Sequence, residues 1–180
     1  ESTLVNIHTF QNLIDEMLDV SRITSGKMSY NFGPAKAQEI IQNCVEMVAS
    51  EYASLKVDLN VEATREIDFH GDTQKITQVV VNLLTNALKY GDNKPVSIKL
   101  AKQEESLTIE VTDQGLGIKA SEQNRIFECF ERVEETRVTG LGVGLFISRQ
   151  IIEAHQGEIL LYSKSGEGST FTVILPLKRS

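Results

Sequence analysis

Three polar residues, Asn82, Asn86 and Lys89, recur at steps of four and three residues within the largely apolar stretch 71–91. At about 100° per residue they share one face of a helix, opposite an arc that would bury against a sheet. That arc comprises Ile76, Val79, Leu83, Leu84, Ala87 and Leu88. Asparagine is a poor helix former, so two asparagines one turn apart need an explanation. The stripe is either an ordinary solvated helix face or one wall of a ligand site. Its amide oxygens suit a hard cation, and its lysine suits phosphate.

A first glycine-rich turn, DQGLGI at residues 113–118, directly follows an alternating apolar run that is typical of a strand. Asp113 would face a cavity, and Gly115 and Gly117 would leave the rim of that cavity without side chains. The carboxylate could accept a hydrogen bond from the exocyclic amine of adenine, which guanine replaces with a carbonyl. An ordinary turn with an aspartate cap explains the same residues, so this turn alone does not distinguish a ligand site from a structural turn.

A second turn, TGLGVG at residues 139–144, opens a helix predicted over residues 145–154. Alternate glycines before a helix expose backbone N–H groups beside the positive end of its dipole, which favours phosphate. The spacing matches neither the Walker nor the Rossmann pattern. Between the two turns, RIFECFER places Phe127 and Phe130 one turn apart to anchor a loop, with Arg132 free to reach phosphate.

The composition of the 180 residues, 41% apolar and 24% charged with a net charge of −7, predicts a soluble globular chain with one sizeable core. The acidic balance argues against nucleic acid and anionic membranes as partners. The sequence has no long apolar run and no signal peptide, so we expect a cytoplasmic chain whose membrane anchor, if any, lies outside it. Cys44 and Cys129 suggest neither a disulfide framework nor a zinc site.

Periodicity predicts the order helix, strands, helix, hairpin, loop, helix, hairpin. The central helix should begin at the cap Asp72 and end at a left-handed Gly91. A helix over residues 35–55, strands around 57–61 and 67–69, and hairpin strands at 95–100 with 107–111 and 158–162 with 169–175 complete the set. Strands outnumber helices, so we predict an α/β (α+β) two-layer sandwich of a mixed sheet packed on about three helices.

An N-terminal helix is predicted over residues 4–23, with an apolar seam and a C-cap at Gly26. A connector at residues 27–34 follows. The helix could pack on its own domain, but its strict seam favours pairing with partner helices.

The stretches NLLTNALKYG, DQGLGI, RIFECFER and TGLGVGLFIS, in that order, resemble the four nucleotide-binding boxes of sensor histidine kinases. The resemblance covers residues 34–177 as the catalytic ATP-binding domain, which has the Bergerat fold. The run LIDEMLDVSRITSGK resembles the second helix of the dimerisation and phosphoacceptor domain. The implied organisation is that helix at 1–26, a connector at 27–34 and the catalytic domain at 35–180.

The resemblance implies that Asn86 ligates Mg²⁺, Lys89 meets phosphate, Tyr90 borders the nucleotide and Asp113 binds the adenine amine. The catalytic set it implies is Asn82, Lys89 and Arg132. The implied ATP-binding set is Asn86, Lys89, Tyr90, Asp113, Gly115, Gly117, Ile118, Phe130, Gly140, Leu141, Gly142, Val143, Gly144, Leu145 and Thr170. Gly115 and Gly117 would admit the ring, and the glycines of the second box would hinge a lid.

The histidines do not match the phosphoacceptor motif of the family. His8 has no acidic neighbour and no following proline, so the γ-phosphoryl group would pass to a histidine on an upstream helix, of the same or a partner subunit. A receiver aspartate of a response regulator would then accept it, within a homodimeric protein. His70 and His155 are expected to be structural, with an imidazolium at His155 favoured by the end of a helix.

Two alternatives remain. A gyrase-like or chaperone-like ATPase carries a glutamate base one turn before the Mg²⁺ asparagine; Asn82 occupies that position and cannot take a proton. The other alternative is a degenerate ATP-binding module that only scaffolds partners. We therefore expect this chain to hold ATP without consuming it appreciably.

Overall fold

The computed structural model describes residues 2–51, 59–63, 66–131 and 141–178. The helices are α1 (Ser2–Thr24), α2 (Ala37–Glu51), α3 (Thr73–Tyr90) and α4 (Gly144–Ala154). The strands are β1 (Gly33–Lys36), β2 (Leu59–Ala63), β3 (Asp68–Gly71), β4 (Val96–Gln103), β5 (Ser106–Asp113), β6 (Glu158–Lys164) and β7 (Gly168–Pro176).

The main sheet has five strands in the order β2-β4-β5-β7-β6. β2 runs parallel to β4, and every other neighbouring pair is antiparallel. β1 and β3 form a separate antiparallel pair. The mixed sheet and both predicted hairpins are thereby confirmed. Each hairpin strand extends one to three residues beyond the predicted run, although β4 begins one residue later than predicted, at Val96.

Helix α3 lies at the centre of the core. All six residues of the predicted apolar arc are buried, and so is Val80, which the arc left out. The buried surface is wider than one stripe because α3 contacts α2 and α4 as well as the sheet. On the α2 side, the Cys44 Sγ donates to the Thr77 carbonyl oxygen over 3.7 Å. Burial raises the pKa of Cys44 to about 11, and in the described residues both cysteines are free.

The start of α3 agrees with the prediction, whereas its end does not. Asp72 caps the helix as predicted: its Oδ1 accepts from Lys75 N over 3.0 Å, and its Oδ2 accepts from Asn31 N over 2.7 Å. The prediction of a left-handed Gly91 is wrong, because the φ of Gly91 is −75° and the residues with positive φ are Asp92 and Asn93. Gly91 is needed for a different reason, since a Cβ there would overlap the Ala87 carbonyl oxygen.

Helix α2 begins two residues later than predicted. Ala35 and Lys36 pair with Phe69 and Asp68 in the small sheet, which holds them in a strand. Ile67 lies just before β3, and its backbone N–H donates to Gln38 Oε1 over 2.7 Å. The predicted end of the helix, residues 52–55, and the start of the next strand lie outside the described residues.

Helix α1 covers the predicted span, and Gly26 has the expected left-handed φ of 67°. Its last turns pack on the rest of the chain, because Asp19 and Val20 are buried. The apolar side chains of its other face are exposed, namely those of Phe10, Ile14, Met17 and Leu18. No helix among the described residues is long and apolar enough to cross a membrane.

His155 is buried where α4 meets the start of α3. Its Nε2 accepts from Asp72 N over 2.9 Å, and its Nδ1 lies 2.7 Å from the Ile151 carbonyl oxygen. A ring nitrogen that accepts an N–H carries no proton, so Nδ1 is the donor and the imidazole is neutral. The imidazolium predicted from the helix dipole is therefore wrong. His70 is exposed and stacks on Phe32, with 6.5 Å between ring centroids.

Candidate functional site

One cavity lies between the C-terminal half of α3, the end of β5 and the start of α4. Most of the predicted site residues line it: Asn82, Asn86, Lys89, Tyr90, Asp113, Gly117, Ile118, Leu141, Gly142, Gly144 and Leu145. The polar stripe and both glycine turns therefore meet at one place. Arg132 and Gly140 lie outside the described residues.

The polar stripe of α3 forms one wall of the cavity. Asn82 and Asn86 are half-buried, and Lys89 is exposed. The Asn82 Nδ2 donates to Ser148 Oγ on α4 over 3.0 Å. A Cβ at Gly144 would overlap the Asn82 Oδ1, so that glycine lets α4 approach α3 closely. The Asn82 amide thus joins the two helices at the edge of the cavity.

Asp113 is the buried carboxylate of the site. It closes β5 opposite Ser169, and its Oδ1 accepts from Gly115 N over 2.8 Å. Burial raises its pKa, while the backbone N–H groups of Gly115 and Ser169 act in the opposite direction. A buried carboxylate facing a cavity is a strong acceptor for a ligand N–H, because water does not compete for it.

The glycines of the first box make room for neighbouring backbone. A Cβ at Gly115 would overlap the Tyr90 carbonyl oxygen, which also accepts from Leu116 N over 3.2 Å. Gly117 has a φ of 62°, and a Cβ there would overlap the Lys164 carbonyl oxygen. Gly117 lines the cavity, whereas the structure places Gly115 behind it against the end of α3. Both glycines therefore hold the loop in place, a role that the sequence alone did not suggest.

The second glycine box delivers α4 to the cavity. Leu141, Gly142, Gly144 and Leu145 line it, with Gly142 at a φ of 72°. Val143 does not: it is fully buried under the site, and its carbonyl oxygen accepts from Ile147 N over 2.9 Å. No side chain caps the first turn of α4 at Val143. The first-turn N–H groups can therefore serve an anion.

Only one of the two phenylalanines of the stretch RIFECFER has the predicted role. Phe127 anchors the loop, edge-on to Phe171 at 6.3 Å and beneath the Arg149 guanidinium at 5.9 Å. Phe130 is 58% exposed at a φ of 66° and does not line the cavity. The prediction assumed helical spacing, but residues 121–130 form turns, so side chains three apart need not share a face.

On β7 the neighbours of Thr170 line the cavity, and the predicted residue Thr170 does not. Ser169 and Phe171 line it, whereas Thr170 points to the other face of the sheet, where its hydroxyl lies 2.9 Å from that of Thr112. Alternation along a strand requires this once Ser169 faces the same side as its partner Asp113. The sequence carried that signal, because period-two burial starting from Asp113 selects Ser169.

Other lining residues were not predicted. Leu116, Ile126 and Glu131 come from the loop after β5, and Glu16 comes from α1. Burial raises the pKa of Glu16, and the Lys89 ammonium lowers it. No local sequence signal could have placed Glu16 here, because its position depends on how α1 packs against the rest of the chain.

The described residues offer a metal ion at this site no cage of charged side chains. Among the described residues, no cluster of three or more histidines, cysteines or carboxylates could hold a metal. Asn86 offers a neutral amide oxygen, which suits Mg²⁺ that brings phosphate oxygens and water as its other ligands. The cavity holds about 160 Å³ of free space, comparable to the roughly 150 Å³ cavity that accepts benzene. It therefore has room for one flat ring beside the polar side chains of its wall.

Comparison with known proteins gives a consistent family. Residues 71–179 match the histidine kinase-, DNA gyrase B- and HSP90-like ATPase family. The chain is 29% identical over 174 residues to the sensor histidine kinase MtrB of Mycolicibacterium paratuberculosis, covering 94% of this chain and 31% of MtrB. It is 29% identical over 180 residues to the sensor-like histidine kinase SenX3 of Mycolicibacterium smegmatis, covering 98% of this chain and 47% of SenX3.

Among solved structures, full-length ShkA in complex with AMPPNP superimposes with a TM-score of 0.83 at 19% identity, over 96% of this chain and 36% of ShkA. That likeness shows the fold, a mixed sheet packed on helices. The chain spans less than half the length of either curated relative. The chain belongs to the histidine kinase-, DNA gyrase B- and HSP90-like ATPase family, and within it to the catalytic ATP-binding domains of sensor histidine kinases.

Proposed function

We propose that this chain binds Mg·ATP and donates its γ-phosphoryl group to a histidine on another helix, as the catalytic part of a protein-histidine kinase. The observation that carries the proposal is the convergence of Asp113, Asn86 and Lys89 on one cavity. A ring-sized space beside a buried carboxylate suits adenine. An amide and an ammonium at the mouth suit magnesium and phosphate.

Each residue has a distinct role in this proposal. Asp113 accepts from the adenine amine and so favours ATP over GTP. Tyr90, Gly117 and Ile118 border the ring. Asn86 would hold Mg²⁺, which supplies positive charge against the phosphates. Lys89 and the start of α4, with Leu141, Gly142 and Leu145, would surround the phosphates. Arg132 is proposed as a further cation for the phosphates from the sequence alone. A receiver-domain aspartate would take the phosphoryl group from the histidine, in a homodimer.

The arrangement around Asn82 favours phosphotransfer over hydrolysis. Its amide donates to Ser148, lies close to the backbone of Gly144, and has no basic site to take a proton from water. Phosphoryl transfer to a histidine depends mainly on positioning and on charge at the phosphates. The proposal therefore separates a kinase, which needs an acceptor helix, from an ATPase, which needs only water.

The test uses γ-labelled ATP with and without a helix that carries a phosphoacceptor histidine. We expect no labelled protein and little phosphate release from this chain alone, and base-stable, acid-labile label when the helix is supplied. Asn86→Ala should abolish the labelling, with the exposed Asn124→Ala as the control. Rapid phosphate release without the helix would instead assign the chain to the ATPases. Label lost in His8→Gln would make His8 the acceptor.

A further inference from the structure

Glu16 belongs to a helix outside the family match, yet it lines the nucleotide cavity. The family match begins at residue 71, whereas Glu16 lies in α1. In the structure it shares the cavity wall with Asn86 and Lys89, the two residues proposed to meet magnesium and phosphate. A carboxylate at that place is unexpected, because the proposed ligand brings negative charge to the same spot.

The placement of Glu16 is fixed by the residues that follow it on the same helix face. Val20, one turn later, is 9% exposed and belongs to the core, and Ile23 packs against that core. Asp19 is buried; its Oδ2 accepts from Gln78 Nε2 over 2.8 Å, and its Oδ1 lies 3.6 Å from Lys75 Nζ. Gln78 and Lys75 lie on α3, the helix that also carries Asn86 and Lys89, while the third partner of Asp19, Arg22, lies on α1 itself. Glu16 therefore reaches the cavity wall through the packing of α1 against α3 and α4.

The charges around Glu16 define what it can do. Its carboxylate is partly desolvated, and the Lys89 ammonium is the opposite charge that acts on it. Phosphate oxygens that approach Lys89 must compete with this carboxylate and are repelled by it. The base end of the cavity, at Asp113, is formed by β5 and the end of α3, whereas Glu16 comes from α1.

We propose that Glu16 is a specificity-determining residue of the nucleotide site, which competes with the phosphate chain for Lys89 and so weakens the binding of nucleoside polyphosphates without affecting the nucleoside. The inference rests on the proposed binding of ATP. It means that the helix preceding the catalytic domain sets the affinity at the phosphate end. Loss of the α1 contact would then tighten ATP binding.

The experiment measures the affinities of adenosine and of Mg·ATP for the wild type and for Glu16→Gln by calorimetry. Removing the charge while keeping the side-chain shape should tighten Mg·ATP binding about three- to tenfold, the effect expected of one nearby charge in a partly solvated site. Adenosine affinity should not change. Asp15→Asn is the matched control, because it removes the same charge from the exposed neighbouring residue and should leave both affinities unchanged.

Two results would overturn the inference alone. The first is that Glu16→Gln still binds adenosine but binds Mg·ATP no more tightly than the wild type does, or less tightly. The other is an equal gain in Asp15→Asn, which would mean that only net charge matters. Failure of the wild type to bind either ligand would instead refute the proposed function, and this inference with it. Circular dichroism of each variant checks that α1 remains folded, and Glu16→Ala should repeat the gain.

Discussion

The base end and the phosphate end of the cavity are built in different ways. At the base end, Asp113 is buried, and the loop after it is locked by backbone contacts of Gly115 and Gly117. At the phosphate end, Lys89 is exposed and Glu16 comes from a separate helix. The first arrangement allows little adjustment, because close-packed backbone has no room to move. The second depends on side chains and on helix packing, so its affinity can be set from outside the domain.

The largest effect should come from breaking the base end. In Gly115→Ala the new methyl would overlap the Tyr90 carbonyl oxygen, so the loop must shift away from α3. We expect a loss of about 3 kcal/mol in the free energy of unfolding, together with loss of adenosine binding. Denaturant unfolding and calorimetry measure the two quantities.

Gly33→Ala is the control for this substitution, since a Cβ at Gly33 would have no atom within 4 Å. Its unfolding free energy should stay within about 0.5 kcal/mol of the wild type. Equal stability of the two alanine variants would mean that the base end is not rigid.

The next effect separates binding from stability at Asp113. Asp113→Asn should weaken ATP binding by on the order of 1–3 kcal/mol, because an amide N–H would then face the adenine amine. The same change should not destabilise the fold at neutral pH, because burial raises the pKa of Asp113 and its ionised form is unfavourable there.

The sign of the pH dependence follows from that shift. A carboxyl whose pKa is higher in the folded state stabilises the protein below its unfolded pKa of about 4, and this contribution is lost as the pH rises through the folded pKa. The unfolding free energy of Asp113→Asn relative to the wild type should therefore rise from acid to neutral pH. A variant that becomes relatively less stable towards neutral pH would contradict the burial of the charge.

A smaller effect is expected at the phosphate end. Asn86→Ala should remove most of the Mg²⁺ dependence of ATP binding, about tenfold, because one amide ligand is lost among several phosphate and water ligands. Adenosine affinity should stay the same, since Asn86 is not part of the base end. An equal loss for adenosine would mean that the two ends are not independent.

The smallest effect should be at Thr170. Its hydroxyl pairs with that of Thr112 on the far face of the sheet, so Thr170→Val should leave ATP affinity unchanged. Ser169→Ala, one residue earlier, changes a residue of the cavity wall and should weaken binding measurably. The reverse ranking in calorimetry would show that β7 presents its other face to the nucleotide.

Local patterns predicted the parts of this molecule that local physics decides. The apolar arc of α3, the Asp72 cap and both hairpins follow from periodicity and capping, which act over a few residues. The errors occur where contacts distant in the sequence decide the outcome. The glycine at position 91 is required by close packing against the Ala87 carbonyl oxygen, not by a left-handed conformation. His155 is neutral because its ring accepts a hydrogen bond from the Asp72 N–H. Glu16 reaches the cavity only because α1 docks, and no pattern within α1 encodes the position of Lys89.

The base end is the part of the site from which the proposed ATP binding follows most directly. The measurement is the affinity of the wild-type chain for ATP and for GTP in excess Mg²⁺, by calorimetry under one set of conditions. Asp113 accepts from the adenine amine, at a position where guanine has a carbonyl oxygen. An unpaired buried carboxylate costs about 1–3 kcal/mol, so ATP should bind roughly 5- to 150-fold more tightly than GTP. Equal affinities for the two nucleotides would contradict the assignment of Asp113, and with it the account of the site.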